Sequence, residues 1–140
     1  MILETFRAEH LHALDVQESQ AYLTPYVKPE HAQALEGTYA FTGMHAGRVI
    51  IVGGIAELAS GRGLLWAYLD RQAGNMFVAV HRAAQRVIDS YEGARIEAAV
   101  DCEFAPGHRW IKMLGFELET ARMRKYRPDG GDSAMYVRIR

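Results

Sequence analysis

The stretch from Leu64 to Tyr91 constrains the fold most. A short apolar run, Leu64-Leu65-Trp66-Ala67-Tyr68-Leu69, passes through the turn Asp70-Arg71-Gln72-Ala73-Gly74-Asn75 straight into an amphipathic helix. In that helix Phe77, Val80, Ala84, Val87, Ile88 and Tyr91 fall on one stripe, with Arg82, Gln85, Arg86 and Asp89 opposite. This is the periodicity of a helix laid on a core. A strand that feeds a helix through a glycine-containing turn leaves the first helical amides without intrahelical partners, with the positive end of the helix dipole behind them. Such a junction suits an anion, and a phosphate-bearing cofactor is its natural guest.

The elements around it alternate. Met1 to Arg7 alternates as a strand does, and Ala8 to Leu14 reads as a short helix. Pro25 and Pro29 interrupt the next stretch; Pro29 suits the first position of a helix running to Leu35 and stopped by Gly37. Thr38 to Met44 and Arg48 to Glu57, joined by His45-Ala46-Gly47, predict an antiparallel hairpin, and Gly61-Arg62-Gly63 turns into the strand Leu64 to Leu69. Gly93 ends the long helix, and Arg95 to Asp101 alternates as a strand, so the helix between two strands predicts a right-handed parallel crossover. Pro106 opens a compact helix, His108 to Leu114, closed by Gly115; Phe116 to Tyr126 and Ala134 to Arg140 then pair around a Pro-Asp-Gly-Gly-Asp turn.

Composition narrows the partners. A chain of 140 residues that is 49% hydrophobic suits a single domain, residues 1–140. Its formal charge of -1, from 16 basic and 17 acidic residues, gives no global attraction to nucleic acid or anionic lipid. The longest nearly apolar run, Val49 to Ala56, holds two glycines and is too short to cross a bilayer. One cysteine, Cys102, excludes an internal disulfide, and the first residues lack the pattern of a signal peptide; a cytoplasmic location is expected. His10, His12 and His31 read as surface residues, without the carboxylate or cysteine company of a metal site. The run Arg122, Arg124, Lys125 and Arg127 beside Tyr126 reads as a solvated strand face.

The order strand, helices, three-strand meander, helix, strand, helix, hairpin resembles the GNAT acyltransferase family over nearly the whole chain. Arg71-Gln72-Ala73-Gly74-Asn75-Met76 resembles the family's cofactor turn (Arg or Gln, two residues, Gly, one residue, Gly or Ala), with Met76 at the third anchor. Trp110-Ile111-Lys112-Met113-Leu114-Gly115-Phe116 resembles its second signature, a short helix ending in Leu-Gly-Phe. Within the family, the segment Phe104 to Phe116 is most similar to small phage-encoded proteins, some of them virion or assembly components. The resemblance implies an α/β (α+β) fold with a mixed, mostly antiparallel central sheet of roughly six to seven strands and about four helices on both faces.

The resemblance also implies acetyl-CoA as cofactor and an amine as acceptor. It places the cofactor's pyrophosphate on the amides of Arg71 to Met76 and its pantetheine arm in a gap between the strands ending at Leu69 and Asp101. Leu69, Arg71, Ala73, Gly74, Asn75, Met76, Phe104 and His108 form the expected cofactor set. Transfer to an amine needs a group that takes its proton. Glu57, Asp70, Glu97, Asp101 and Glu103 are candidates; Glu57 and Asp101 are preferred because each is expected to end a strand near that gap. Many members carry a Tyr four residues before the Gly of Leu-Gly-Phe and an Asn before that helix; this chain has Ile111 and, near the second position, Phe104. His108 is a substitute acid. Two functions follow: an acetyl-CoA-dependent N-acetyltransferase, or a GNAT-shaped phage virion, assembly or binding protein without catalysis. A late antiparallel edge such as Ala134 to Ile139 is an expected homodimer seam.

Overall fold

A computed structural model describes residues 1–26 and 28–140. In chain order it contains β1 (Ile2–Thr5), α1 (Ala8–Ala13), a 3-10 helix (Glu18–Tyr26), α2 (Pro29–Leu35), β2 (Tyr39–His45), β3 (Arg48–Ala59) and β4 (Arg62–Leu69). A short 3-10 turn (Ala73–Met76), α3 (Phe77–Ser90), β5 (Arg95–Asp101), α4 (Ala105–Met113), β6 (Glu117–Met123) and β7 (Ser133–Ile139) follow. The seven strands hydrogen-bond in the order β1-β2-β3-β4-β5-β7-β6. β1 with β2, β2 with β3, β5 with β7 and β6 with β7 run antiparallel. β4 and β5 run parallel, Arg62–Leu64 beside Arg95–Glu97, as the crossover reading predicts. The mixed, mostly antiparallel α/β architecture expected from the sequence is the one observed. Contacts divide the chain into two units, Met1–Ala56 with Trp66–Tyr91, and Glu57–Leu65 with Glu92–Arg140.

In the first unit the β2–β3 hairpin turns at Ala46 and Gly47, both at positive φ. The two strands come so close at Gly54 that an added Cβ would lie 2.1 Å from the Tyr39 carbonyl oxygen. Phe6, Leu11, Leu14, Ala32, Ala40, Val49 and Val52 form a core cluster, with Trp66 and Tyr68 packed on it. Val80, Ala83 and Ile88 are the buried residues of α3. Each large aliphatic residue so buried contributes about 1.5–3 kcal/mol. Phe77, counted in the helix stripe, is instead exposed, because it opens the helix.

His10 corrects the surface reading of the first histidines. It is buried at 5% exposure, its Nδ1 accepting the Arg7 amide at 3.1 Å and lying 2.7 Å from Thr42 Oγ1. Its Nε2 faces Glu4 at 3.2 Å. A polar ring can be buried in this way because both nitrogens keep partners.

In the second unit the Leu-Gly-Phe ending has a structural cause. Gly115 takes φ +90°, its amide bonds the Lys112 carbonyl, and the Phe116 amide reaches back to Ile111. That pair of bonds is the Schellman closure, which satisfies the last helical carbonyls and turns buried Phe116 inward. β7 lies between β5 and β6, so the expected dimer seam at Ala134 to Ile139 is corrected: residues Ser133–Val137 are buried within the sheet. The outer strands are β1 and β6, and β6 is exposed along almost its whole length.

Candidate functional site

Asp70 anchors the strand-to-helix turn. Its amide donates to the Ile50 carbonyl at 2.8 Å, and its carboxylate accepts the amides of Gln72 at 3.0 Å and Asp15 at 3.3 Å. The Arg48 guanidinium meets both carboxylate oxygens, Nε at 3.1 Å and Nη2 at 3.2 Å. A buried carboxylate needs such partners, and Asp70 is only 1% exposed. This candidate base is therefore the internal brace of the turn.

The turn's own amides are largely engaged. Arg71 donates to the Asp15 carbonyl, Gln72 to the Asp70 side chain, Ala73 to the Asp70 carbonyl and Asn75 to the Gln72 carbonyl. Arg71 also reaches the Asp15 carboxylate at 3.1 Å, both side chains more than half exposed. Leu69 bonds through both its amide and its carbonyl to the segment after α1. At Gly74 the backbone is not left-handed and an added Cβ would meet nothing within 4 Å, which leaves open space over the turn.

The opening of α3 is different. Met76, at its N-cap, gives no side-chain cap, and the first turn carries no acidic residue. No side-chain cap and no first-turn carboxylate therefore stand at this helix start, which follows directly on the 3-10 turn, and 14 residues of aligned dipole lie behind it. Phe77 and Val78 there are exposed. Of the turn expected to hold an anion, Arg71, Gln72, Ala73 and Asn75 are thus engaged by the chain's own acceptors, and Met76 leads into α3.

The second unit holds the remaining candidates. Asp101, at the end of β5, pairs with Arg127 at 2.5 Å and accepts the Glu103 amide at 3.1 Å. Arg127 also binds Asp129 and lies against Gly131, where an added Cβ would come within 2.7 Å of its guanidinium. Glu57 Oε1 accepts the Gly61 amide at 3.1 Å and so closes the β3–β4 turn. Glu97 is gripped by Arg62 at 2.6 Å and Arg95 at 2.8 Å, and these hydrogen bonds, Arg62 first, hold its carboxyl at about 2. It stays ionised and takes up no proton near neutrality.

Phe104 is the N-cap of α4, and its ring crowds Gly107, where an added Cβ would lie 2.7 Å from it. Next to it, His108 Nε2 lies 3.1 Å from the Cys102 carbonyl and Nδ1 lies 2.7 Å from Tyr136 Oη. A carbonyl only accepts, so Nε2 carries the proton, and in the neutral ring Nδ1 accepts from the Tyr136 hydroxyl. Burial, reinforced by Cys102, raises the Tyr136 phenol above its ordinary value and keeps it a donor. Sequence reasoning named His108 but not Tyr136, which sits inside an apolar strand pattern and meets His108 only through folding.

Among the described residues no cluster of three or more His, Cys, Asp or Glu is arranged to hold a metal ion, and no helix is long and apolar enough to cross a membrane.

No family model and no curated protein matches the sequence. By structure the chain is similar to Ard1 from Thermoplasma volcanium, with TM-score 0.79 and 17% identity over 99% of this chain and 96% of that one. A GNAT-family acetyltransferase from Bacillus anthracis gives TM-score 0.72 and 16% identity, covering 98% and 93%. A spermidine N-acetyltransferase chimera from Vibrio cholerae and hSSAT gives 0.75 and 13%, covering 99% and 94%. The chain has the GNAT fold. A phage kinship is not among the things these similarities support.

Proposed function

We propose that this GNAT-fold chain is an acetyl-CoA-dependent N-acetyltransferase acting on an amine, with residues 1–140 working as one domain. The observation that carries the reading is the start of α3, which has no side-chain cap and no acidic residue in its first turn and follows the β4 turn, in a fold shared with acetyltransferases along nearly the whole chain. A phosphate there is favoured by the helix dipole and meets no competing carboxylate.

The fit to the cofactor divides in two. The start of α3, with Met76 at its N-cap and the space over Gly74, suits the diphosphate. The β4 edge does not suit the arm as it stands: Leu69 and Arg71 already bond the chain's own residues. Bound acetyl-CoA supplies an activated acyl carbon. The chain's own contribution is proton handling, and we assign the acid to His108, which buried Tyr136 positions through the Oη–Nδ1 hydrogen bond. Glu57 and Asp101 stand as the proposed bases, with Phe104 shaping the start of α4 beside His108.

The test is thermal. Acetyl-CoA at about 100 times its Kd stabilises the fold by about 2.7 kcal/mol, so the melting temperature rises. No shift at millimolar acetyl-CoA would sink the cofactor reading. Once binding is seen, thiol release with a panel of amines compares Glu57→Gln and Asp101→Asn with the unaltered chain. Unchanged turnover in both removes them as bases.

A further inference from the structure

The edge of β4 opposite β3 is filled by the chain itself. Asp70, which donates to Ile50, turns its backbone toward β3; Ala67, Leu69 and Arg71 therefore turn theirs to the other edge. All three are taken there by the segment just after α1. Arg71 donates to the Asp15 carbonyl at 2.9 Å, and Gln17 donates to the Leu69 carbonyl at 2.8 Å. These bonds flank a solitary antiparallel bridge, Val16 to Asp70. Gln20 completes the set with a side chain acting as a peptide group: its Nε2 donates to the Ala67 carbonyl at 2.7 Å and its Oε1 accepts the Leu69 amide at 3.0 Å. The segment imitates an added strand with one bridge and one side-chain amide.

Its hold is weak. From Glu18 onward the chain forms a nine-residue 3-10 helix containing Pro25, a geometry with poorer hydrogen bonds that rarely runs beyond about four residues. Ser19 Oγ, on this segment, is buried without a hydrogen-bond partner among the described residues. Such an atom costs about 1–3 kcal/mol while the segment is docked. The Asp15–Arg71 pair is exposed and adds little. A half-open cleft of about 340 Å3 is lined by Leu14, Val16, Gln20, Leu23, Tyr68 and Arg71 among others, so the segment borders open space.

We propose that Asp15–Gln20 is a displaceable strap that occupies the β4 edge and competes with any extended, amide-bearing ligand that adds there. Strand addition recruits the same backbone groups that the strap now holds. This rests on the proposed function for the identity of the ligand, a pantetheine-type arm, but not for the motion.

Amide hydrogen exchange by NMR on the full chain tests it. The Gln17, Leu69 and Arg71 amides are expected to exchange through one shared opening about tenfold or more faster than the neighbouring Asp70 amide. Gln20→Ala speeds exchange of Leu69 further, and Gln20→Glu, which keeps the acceptor for Leu69 but loses the donor to Ala67, guards against a folding defect. With CoA as the probe, Gln20→Ala is expected to bind about threefold or more tightly than the unaltered chain, since the competent state is more populated. Equal protection of Leu69, Arg71 and Asp70 in all three proteins overturns the strap. So does saturation with CoA that leaves Gln17 and Leu69 exchanging as before, a result that keeps the cofactor reading. Fast, shared exchange with no CoA binding to any variant supports the strap and rejects the cofactor.

Discussion

Arg48 and Asp70 form a two-point ion pair between the first residue of β3 and the residue that follows β4, and Asp70 is almost completely buried while the Arg48 side chain is 44% exposed. The pair fixes the carboxylate so that it can hold the amides of Asp15 and Gln72. The geometry of the strand-to-helix turn therefore depends on a side chain that belongs to neither the turn nor the helix.

Replacing Asp70 by Asn is expected to lower the unfolding free energy by about 2–3 kcal/mol, because several hydrogen bonds to a buried charged group are weakened at once. Arg48→Gln is expected to cost at least as much, since it leaves the buried carboxylate without its cation. Urea midpoints compare the two; a negligible loss in both contradicts the assignment of Asp70 as the brace.

Glu97 makes stability sensitive to acid. Its carboxyl is held at about 2 against an ordinary 4.5. A group whose folded value is depressed contributes fully above the unfolded value and loses that contribution as pH falls through the folded one. The contribution is thus complete above about pH 4.5 and disappears between there and about pH 2. Allowing for the half-exposed Arg62, it amounts to about 1–2 kcal/mol. Glu97→Gln is expected to flatten stability against pH across that window, measured by urea unfolding at each pH.

Gly54→Ala is expected to cost about 3 kcal/mol or more, because the new methyl meets backbone on the neighbouring strand rather than the end of a movable side chain. Gly74→Ala, with open space and ordinary backbone, leaves the melting temperature nearly unchanged. Thermal unfolding of the two variants side by side checks the contrast.

Tyr136→Phe removes the hydroxyl that His108 accepts and is expected to cost about 1–2 kcal/mol in stability. With His108 as the acid, loss of the hydroxyl that positions it also lowers thiol release at saturating acetyl-CoA about tenfold while CoA affinity is nearly unchanged. Turnover that falls only in step with the folded fraction assigns Tyr136 to structure alone.

Much of the fold was legible in the chain. The stripe containing Val80 and Ile88, the glycine loop after His45 and the Leu-Gly-Phe cap are local patterns whose physics acts within a few residues, and each formed the predicted element. Phe77 and His10 were misjudged because burial depends on what packs opposite: a helix start faces solvent, and a histidine enters a core when Thr42 and Glu4 come from strands to meet it. The stretch from Glu18 to Thr24 carries neither periodicity and gave no sign of its 3-10 geometry.

What the sequence determined by itself is the strand-turn-helix junction and its place in the order of elements, since hydrophobic period and turn chemistry are written in neighbouring residues. What only the tertiary structure decided is which donors and acceptors at that junction remain open. Asp70 is closed by Arg48, Leu69 by Gln20 and Asp101 by Arg127. Each of these bonds joins groups more than 20 positions apart, and the chain brings them together only by folding.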